Sequence, residues 1–188
     1  MKFILALLLT LIPFQAFAVW EVVNPLRSTF STSSAFTFPY ATPTDLCMIG
    51  NPTKGTITIH HIRVSGVQTT AGLNPFYLVK RSTLDTCTET TLTAVSHDYY
   101  ASSSYADIQF CTGAPSLGTS EGTVRGADIL FPAPGNTSGN QAYDFDFGPT
   151  SGTQPIILHQ NEMIALNFNA VAVPTGMRLV CEFTWQEQ

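Results

Sequence analysis

Charge is what this sequence has least of. Asp, Glu, Lys and Arg make up 11% of its 188 residues, where about 25% is ordinary. Eight Lys and Arg against thirteen Asp and Glu leave a formal net charge of −5. A chain so poor in cations has no electrostatic footprint for nucleic acid and no polybasic patch for anionic lipid. Helical periodicity is missing from residue 19 onward, where apolar residues recur instead at a spacing of two. No two cysteines come as C-x-x-C, the close pair on which structural zinc sites are built. Beyond the N-terminal segment, no apolar run approaches the roughly 20 residues needed to span a bilayer.

That N-terminal segment reads MKFILALLLTLIPFQAFA. Lys2 precedes an apolar run from Phe3 to Ile12, and Ala16 and Ala18 flank Phe17. These are the charged, apolar and small-residue regions of a secretory signal peptide. A retained anchor would need a longer run. The expectation is a signal helix over residues 1–18, cleaved after Ala18, and one domain over residues 19–188. The product is then secreted or extracellular, at the periplasm, cell surface or particle surface, with no membrane attachment once the signal is removed.

Thr, Ser, Gly, Pro and Asn fill the place of charge, and they separate short alternating runs. Ser34 to Tyr40, Asp45 to Ile49, Phe76 to Lys80, Thr90 to Val95, Ala106 to Cys111 and Gly126 to Phe131 read as strands. The basic pair Lys80 and Arg81 closes the third of these. Thr56 to Ser65 is the longest β-branched run. Ile57 and Ile59 fall on odd positions there, while Ile62 and Val64 fall on even ones. Either both faces of that strand are buried or a bulge sits near His60 and His61. In Ala142 to Phe147, three aromatics oppose Asp144 and Asp146. Pro155 to Leu158 and Met163 to Phe168 flank a polar four-residue turn and read as a hairpin. In the last run, Met177, Leu179, Cys181, Phe183 and Trp185 share one face. Roughly ten such strands predict an all-β, antiparallel β-sandwich, jelly-roll-like in its version preferred here.

An even count of four cysteines in an exported chain points to two disulfides. Three pairings are open. Cys87 with Cys111 is favoured by proximity. Cys47 with Cys181 would tie an early strand to the last, two strands that neighbour each other in a jelly roll.

Few residues suggest chemistry. His60 and His61 point to opposite faces of a strand and cannot share a metal unless the strand bulges. His97 and Asp98 are adjacent, a poor arrangement for a catalytic dyad. Asp144 and Asp146 lie on one side of a strand, a spacing that suits part of a Ca²⁺ site or a glycosidase pair, with Glu162 as a further carboxylate; a solvated face accounts for them as well. Asn136-Thr137-Ser138 is a glycosylation sequon. No catalytic residue, cofactor or metal site is expected, and the chain is not expected to be an enzyme. Tyr99, Tyr100 and Tyr105 lie in a Ser-rich polar stretch and form a candidate ligand surface for sugars. The new N-terminus, VWEVVNPL, reads either as the first strand of the domain or as a free extension, with Val19, Trp20, Val22 and Val23 as a candidate donor strand for a neighbour's sheet.

Several segments are familiar together: NPTKGTITI from Asn51, IRVSGVQTTAG from Ile62, LVKRS from Leu78, PIIL from Pro155, NEMIALN from Asn161 and EFTW from Glu182. Through them the chain resembles a family of uncharacterised proteins encoded in phage genomes and phage-like metagenomic contigs. The resemblance implies jelly-roll virion or particle-surface components, and it brings no catalytic residues. The signal peptide and the four cysteines depart from that pattern and shift the expectation toward an exported relative. The function expected is that of a structural subunit or surface component of an extracellular or virion-type assembly, associating with itself or with other coat proteins. The alternative is a secreted glycan-binding β-sandwich module.

Overall fold

The computed structural model describes residues 28–37, 45–53, 55–100, 102–111, 116–135, 142–148, 151–168, 171–174 and 176–188. Among the described residues twelve strands are formed: β1 (Thr29–Thr37), β2 (Asp45–Gly50), β3 (Ile57–Val67), β4 (Gly72–Arg81), β5 (Glu89–Thr91), β6 (Val95–Ser96), β7 (Asp107–Cys111), β8 (Ser120–Phe131), β9 (Ala142–Asp146), β10 (Ile156–Leu158), β11 (Met163–Asn167) and β12 (Arg178–Glu187). They make two antiparallel six-stranded sheets. One runs β10-β3-β12-β1-β6, with β9 also paired to β3; the other runs β5-β7-β2-β11-β4-β8. A single core joins them, drawn from both sheets, so the fold is all-β and sandwich-like. The expected signal peptide and the donor residues Val19, Trp20, Val22 and Val23 lie outside the described residues, as does Asn136.

The clearest alternation becomes the central strand of the first sheet. Leu179, Cys181, Phe183 and Trp185 of β12 are all buried, and Arg178 at the start of the strand, on the opposite parity, is exposed. β12 pairs with β1 along one edge and β3 along the other. On β3 the parity conflict resolves by a bulge. His61 pairs Thr184 and Ile59 pairs Trp185, so His60 is the extra residue. That one insertion lets Ile57, Ile59, Ile62 and Val64 all enter the core, because each added residue reverses the face of everything beyond it. Deleting His60 is expected to turn one pair of these side chains outward and abolish cooperative unfolding, which circular dichroism melts would show. A deletion variant with an unchanged melt would refute the register.

Two expected elements are arranged differently. Pro155–Leu158 and Met163–Phe168 are not a hairpin. β10 pairs with β3 in the first sheet, whereas β11 lies between β2 and β4 in the second. The polar link is a corner between sheets. Asn161 takes a left-handed φ of 68°, and its N–H donates to Asn51 O while Asn51 N–H donates to Glu162 O. A short polar link serves a hairpin and a sandwich corner equally well. What decides is that both edges of β11 are already taken. The Thr90–Val95 run is likewise divided: β5 pairs with β7 in the second sheet, and β6 pairs with β1 in the first. Leu92 and Ala94 between them pack on the core, closing one side of the sandwich.

Both favoured disulfides are formed, Cys47–Cys181 and Cys87–Cys111. The first joins β2 to β12, which are not neighbours: they face each other from opposite sheets, Cα atoms 6.8 Å apart. The second sits on the outer side of the second sheet. There Met48, Cys111, Met163 and Ala165 form a separate small core, covered by Leu84 and Cys87. β11 is therefore buried on both faces, Ile164 and Leu166 inward and Met163 and Ala165 outward. A cross-link over a longer loop removes more freedom from the unfolded chain. With sequence separations of 134 and 24 residues, loss of Cys47–Cys181 through the double alanine variant is expected to cost about 5 kcal/mol and loss of Cys87–Cys111 about 3.5 kcal/mol. Urea titration of the two variants checks the order, and a reversed order would contradict it.

Candidate functional site

The feature that stands apart on the surface is the loop that follows β6. Tyr99 is 93% exposed and Tyr100 is 91% exposed, and their rings meet edge to face with centroids 5.3 Å apart. Large apolar rings left this bare are uncommon on a monomer. The loop is nonetheless well tied. His97 N–H donates to Thr29 O at 2.8 Å, and His97 Nε2 lies 3.0 Å from Ser31 Oγ. Ser96 Oγ donates to Asp98 O and accepts from Asp98 N–H. Asp98 Oδ1 in turn accepts from Tyr100 N–H at 3.0 Å. Such local Ser and Asp bonds replace the ladder that a loop lacks.

The other end of the loop is anchored on the C-terminal strand. The Glu187 carboxylate accepts from Ser104 Oγ, Tyr105 N–H, Ala106 N–H and Trp185 Nε1. Tyr105 is therefore no part of an exposed platform. Its ring packs against the core. Its hydroxyl lies 2.9 Å from Thr56 O and 3.1 Å from Gln188 O, and accepts from Gln188 N–H. Burial, with the nearby Glu187 charge, raises its pKa above the ordinary phenol value. Ser-rich surroundings suggested exposure for all three tyrosines, but they say nothing about which ring the chain ends would cover.

Beside this loop a shallow groove of about 480 Å³ runs over the outside of the first sheet. It is lined by Ser31, Ser33, Thr93, Val95, Glu182 and Thr184 among others. Val95 is 60% exposed, and Ser33 Oγ donates to Glu182 Oε1 at 3.3 Å.

The remaining sequence candidates are scattered. Asp144 binds His61 Nε2 at 2.9 Å and lies 3.8 Å from Arg63 Nε, all three on the outer face of β3 and β9. Asp146 Oδ1 accepts from Gly148 N–H and shapes a turn. Glu162 pairs with Lys80 at 3.0 Å and accepts from His159 N–H. The His97 ring and the Asp98 carboxylate engage different partners. Among the described residues, no three His, Cys, Asp or Glu gather into a metal-binding group. Residues 118–122 spell G-x-S-x-G, the spacing of a hydrolase elbow. Ser120 sits instead at the start of β8, which continues as a strand to Phe131, and its hydroxyl accepts from Gly122 N–H. An elbow needs a helix after the serine, so the spacing here is a coincidence of a glycine-rich edge strand.

One constellation escaped sequence reasoning. Arg81 at the end of β4 grips Asp45 at the start of β2 through two bonds, of 2.6 Å and 2.9 Å, all of it buried. Asn167 Nδ2 also donates to Asp45, and Arg81 Nη1 donates to Gly118 O. Asp85 completes the cluster: its Oδ1 accepts from Gly118 N–H and lies 3.5 Å from Arg81 Nε, while its Oδ2 is buried without a donor. The cluster clamps the strap that covers the small outer core. The Arg81/Asp85 spacing of four was legible, but partners 36 residues apart were not.

Comparison of the chain with family models, with curated proteins and with solved structures returns no match.

Burial, reinforced by the Asp45 charge, pushes the Asp85 carboxyl up to about 7, against the pull of Gly118 N–H and Arg81. The fold thus favours the protonated acid. Its stabilising contribution is complete below the ordinary carboxylate pKa and fades as pH rises toward 7. Stability is expected to fall between about pH 4 and pH 7, and Asp85→Asn is expected to remove about 1 kcal/mol or more of that slope. Urea melts of both proteins across the range check it, and parallel profiles would overturn it.

Proposed function

We propose that the two sheets form a jelly roll and that the chain is an exported, non-catalytic structural subunit of an extracellular or particle-surface assembly. The carrying observation is strand order. Set aside the short β5, β6 and β7, and treat β9 with β10 as one broken strand. The first strand then pairs with the last, β1 with β12; the second with the next to last, β2 with β11; β3 pairs with β9 and β10; and β4 pairs with β8. Successive pairs alternate between the sheets, as in a long hairpin rolled on itself. Such sandwiches serve as capsid and lectin domains, and the resemblance to particle-surface proteins agrees with this.

The two disulfides suit an oxidising compartment. Among the described residues, no helix is long and apolar enough to cross a membrane. A charge-poor surface rich in Ser and Thr has little like-charge repulsion to oppose self-packing. Among the described residues, the strands outside this nested order, β5 to β7, lie between β4 and β8, together with the tyrosine loop and Cys87–Cys111. The secreted, disulfide-intact chain is expected to form higher-order species as concentration rises, seen by light scattering after size exclusion and by negative-stain microscopy. A strictly monomeric protein at the highest soluble concentration would sink the assembly reading.

A second reading, a secreted glycan-binding module, is favoured by one observation: the bare Tyr99 and Tyr100 rings on a loop tied at both ends.

A further inference from the structure

We infer that the tyrosine loop and the groove beside β6 form one extended site for a neutral, linear oligosaccharide. This deepens the glycan-binding reading and rests on it for the tyrosines; the groove is an independent observation. The two are contiguous. Val95 lines the groove and pairs with Ser31, His97 reaches Ser31 Oγ, and Tyr99 follows two residues later. Two residues of chain span at most about 7 Å, so the backbone of Tyr99 follows within about one sugar unit of His97, which touches the groove's edge at Ser31.

The chemistry divides along that line. A pyranose has flat C–H faces and a rim of hydroxyls. Exposed aromatic rings suit the faces. Tyrosine supplies such area with few rotatable bonds to freeze, which lowers the ordering cost of binding. Here the cost is lower still, because Asp98 and Glu187 already hold the loop. The groove suits the rim. Ser31, Ser33, Thr93 and Thr184 can each donate or accept, Glu182 accepts, and Val95 offers an apolar wall. Neither lysine nor arginine lines it. The single charge is negative, on a chain of net charge −5, which selects against acidic polysaccharides and nucleic acids. A groove open on one side admits a chain passing through rather than an enclosed monosaccharide.

The test uses the secreted, disulfide-intact chain and three hexasaccharides: β-1,4-linked glucose, β-1,4-linked N-acetylglucosamine and α-1,4-linked galacturonate. Isothermal titration is expected to show saturable binding of at least one neutral chain and none of the acidic one. Tyr99→Ala and Tyr100→Ala should each weaken it by about tenfold. Ser33→Phe, which fills the groove at an exposed strand position, should weaken it by a similar factor, and Glu182→Gln by less. Tyr143→Ala, an exposed ring two strands away from β12, should change nothing. Absence of binding to both neutral chains overturns the site and the glycan-binding reading together. Loss on changing the tyrosines with Ser33→Phe unaffected overturns the extended site but leaves a simpler tyrosine platform. Stronger binding of the acidic chain overturns the assigned ligand class. Self-association measured on the same variants separates any of these from a failure of assembly.

Discussion

From the middle of the C-terminal strand, Cys181 reaches across the core to Cys47 in the facing sheet, and much of the molecule follows from where that strand lies. β12 is flanked on both edges, so its inward row of Leu179, Cys181, Phe183 and Trp185 becomes one wall of the core. Its register on β3 requires the extra residue at His60. Its end carries Trp185 and Glu187, and Glu187 is the acceptor that holds the base of the tyrosine loop. Core, cross-link and surface loop thus share a single strand. A shift of β12 by one residue would face Cys181 outward, break the disulfide and release the loop.

The second sheet is organised on a different principle. Its outer face is not left to solvent but roofed by the strap after β4, over Met48, Met163 and Ala165. A strap with so few apolar contacts needs fasteners, and two are present. Cys87–Cys111 fixes it covalently to β7. The Arg81, Asp45 and Asp85 cluster fixes it electrostatically. Buried charge of this kind is a poor source of net stability, because desolvation cancels most of the attraction. Removing one partner is what costs most, because it leaves the others stranded in a buried site. The orphaned Asp85 Oδ2 and the raised Asp85 pKa are the residue of that imperfect balance.

Much of the fold was legible because burial leaves a period in the sequence. The β12 row, the Tyr143, Phe145 and Phe147 alternation and the parity conflict around His60 could each be read directly, and a bulge near His60 was one of the two readings that the conflict allowed. Sheet membership could not be read. β10 and β11, and β5 and β6, look like continuous or hairpin-linked strands locally, yet each pair divides between sheets. The first half of β8 carried no signal, since residues 120–126 are exposed and show no apolar alternation. For the candidate site, the Ser-rich surroundings marked Tyr99 and Tyr100 well and Tyr105 badly. The difference lies in Thr56 and Gln188, to which only Tyr105 is bonded and which come from distant parts of the chain.

The sequence by itself determined the strand class, the inward faces, the presence of two cross-links and the poverty of charge, because these depend on residue type and on near neighbours. Tertiary structure alone decided the pairing of strands between sheets, the roles of Arg81 and Glu187, and the joining of the tyrosine loop to the groove. Those rest on contacts between residues tens to more than a hundred positions apart. No local period records such contacts, because the energy that selects them appears only when the whole core closes.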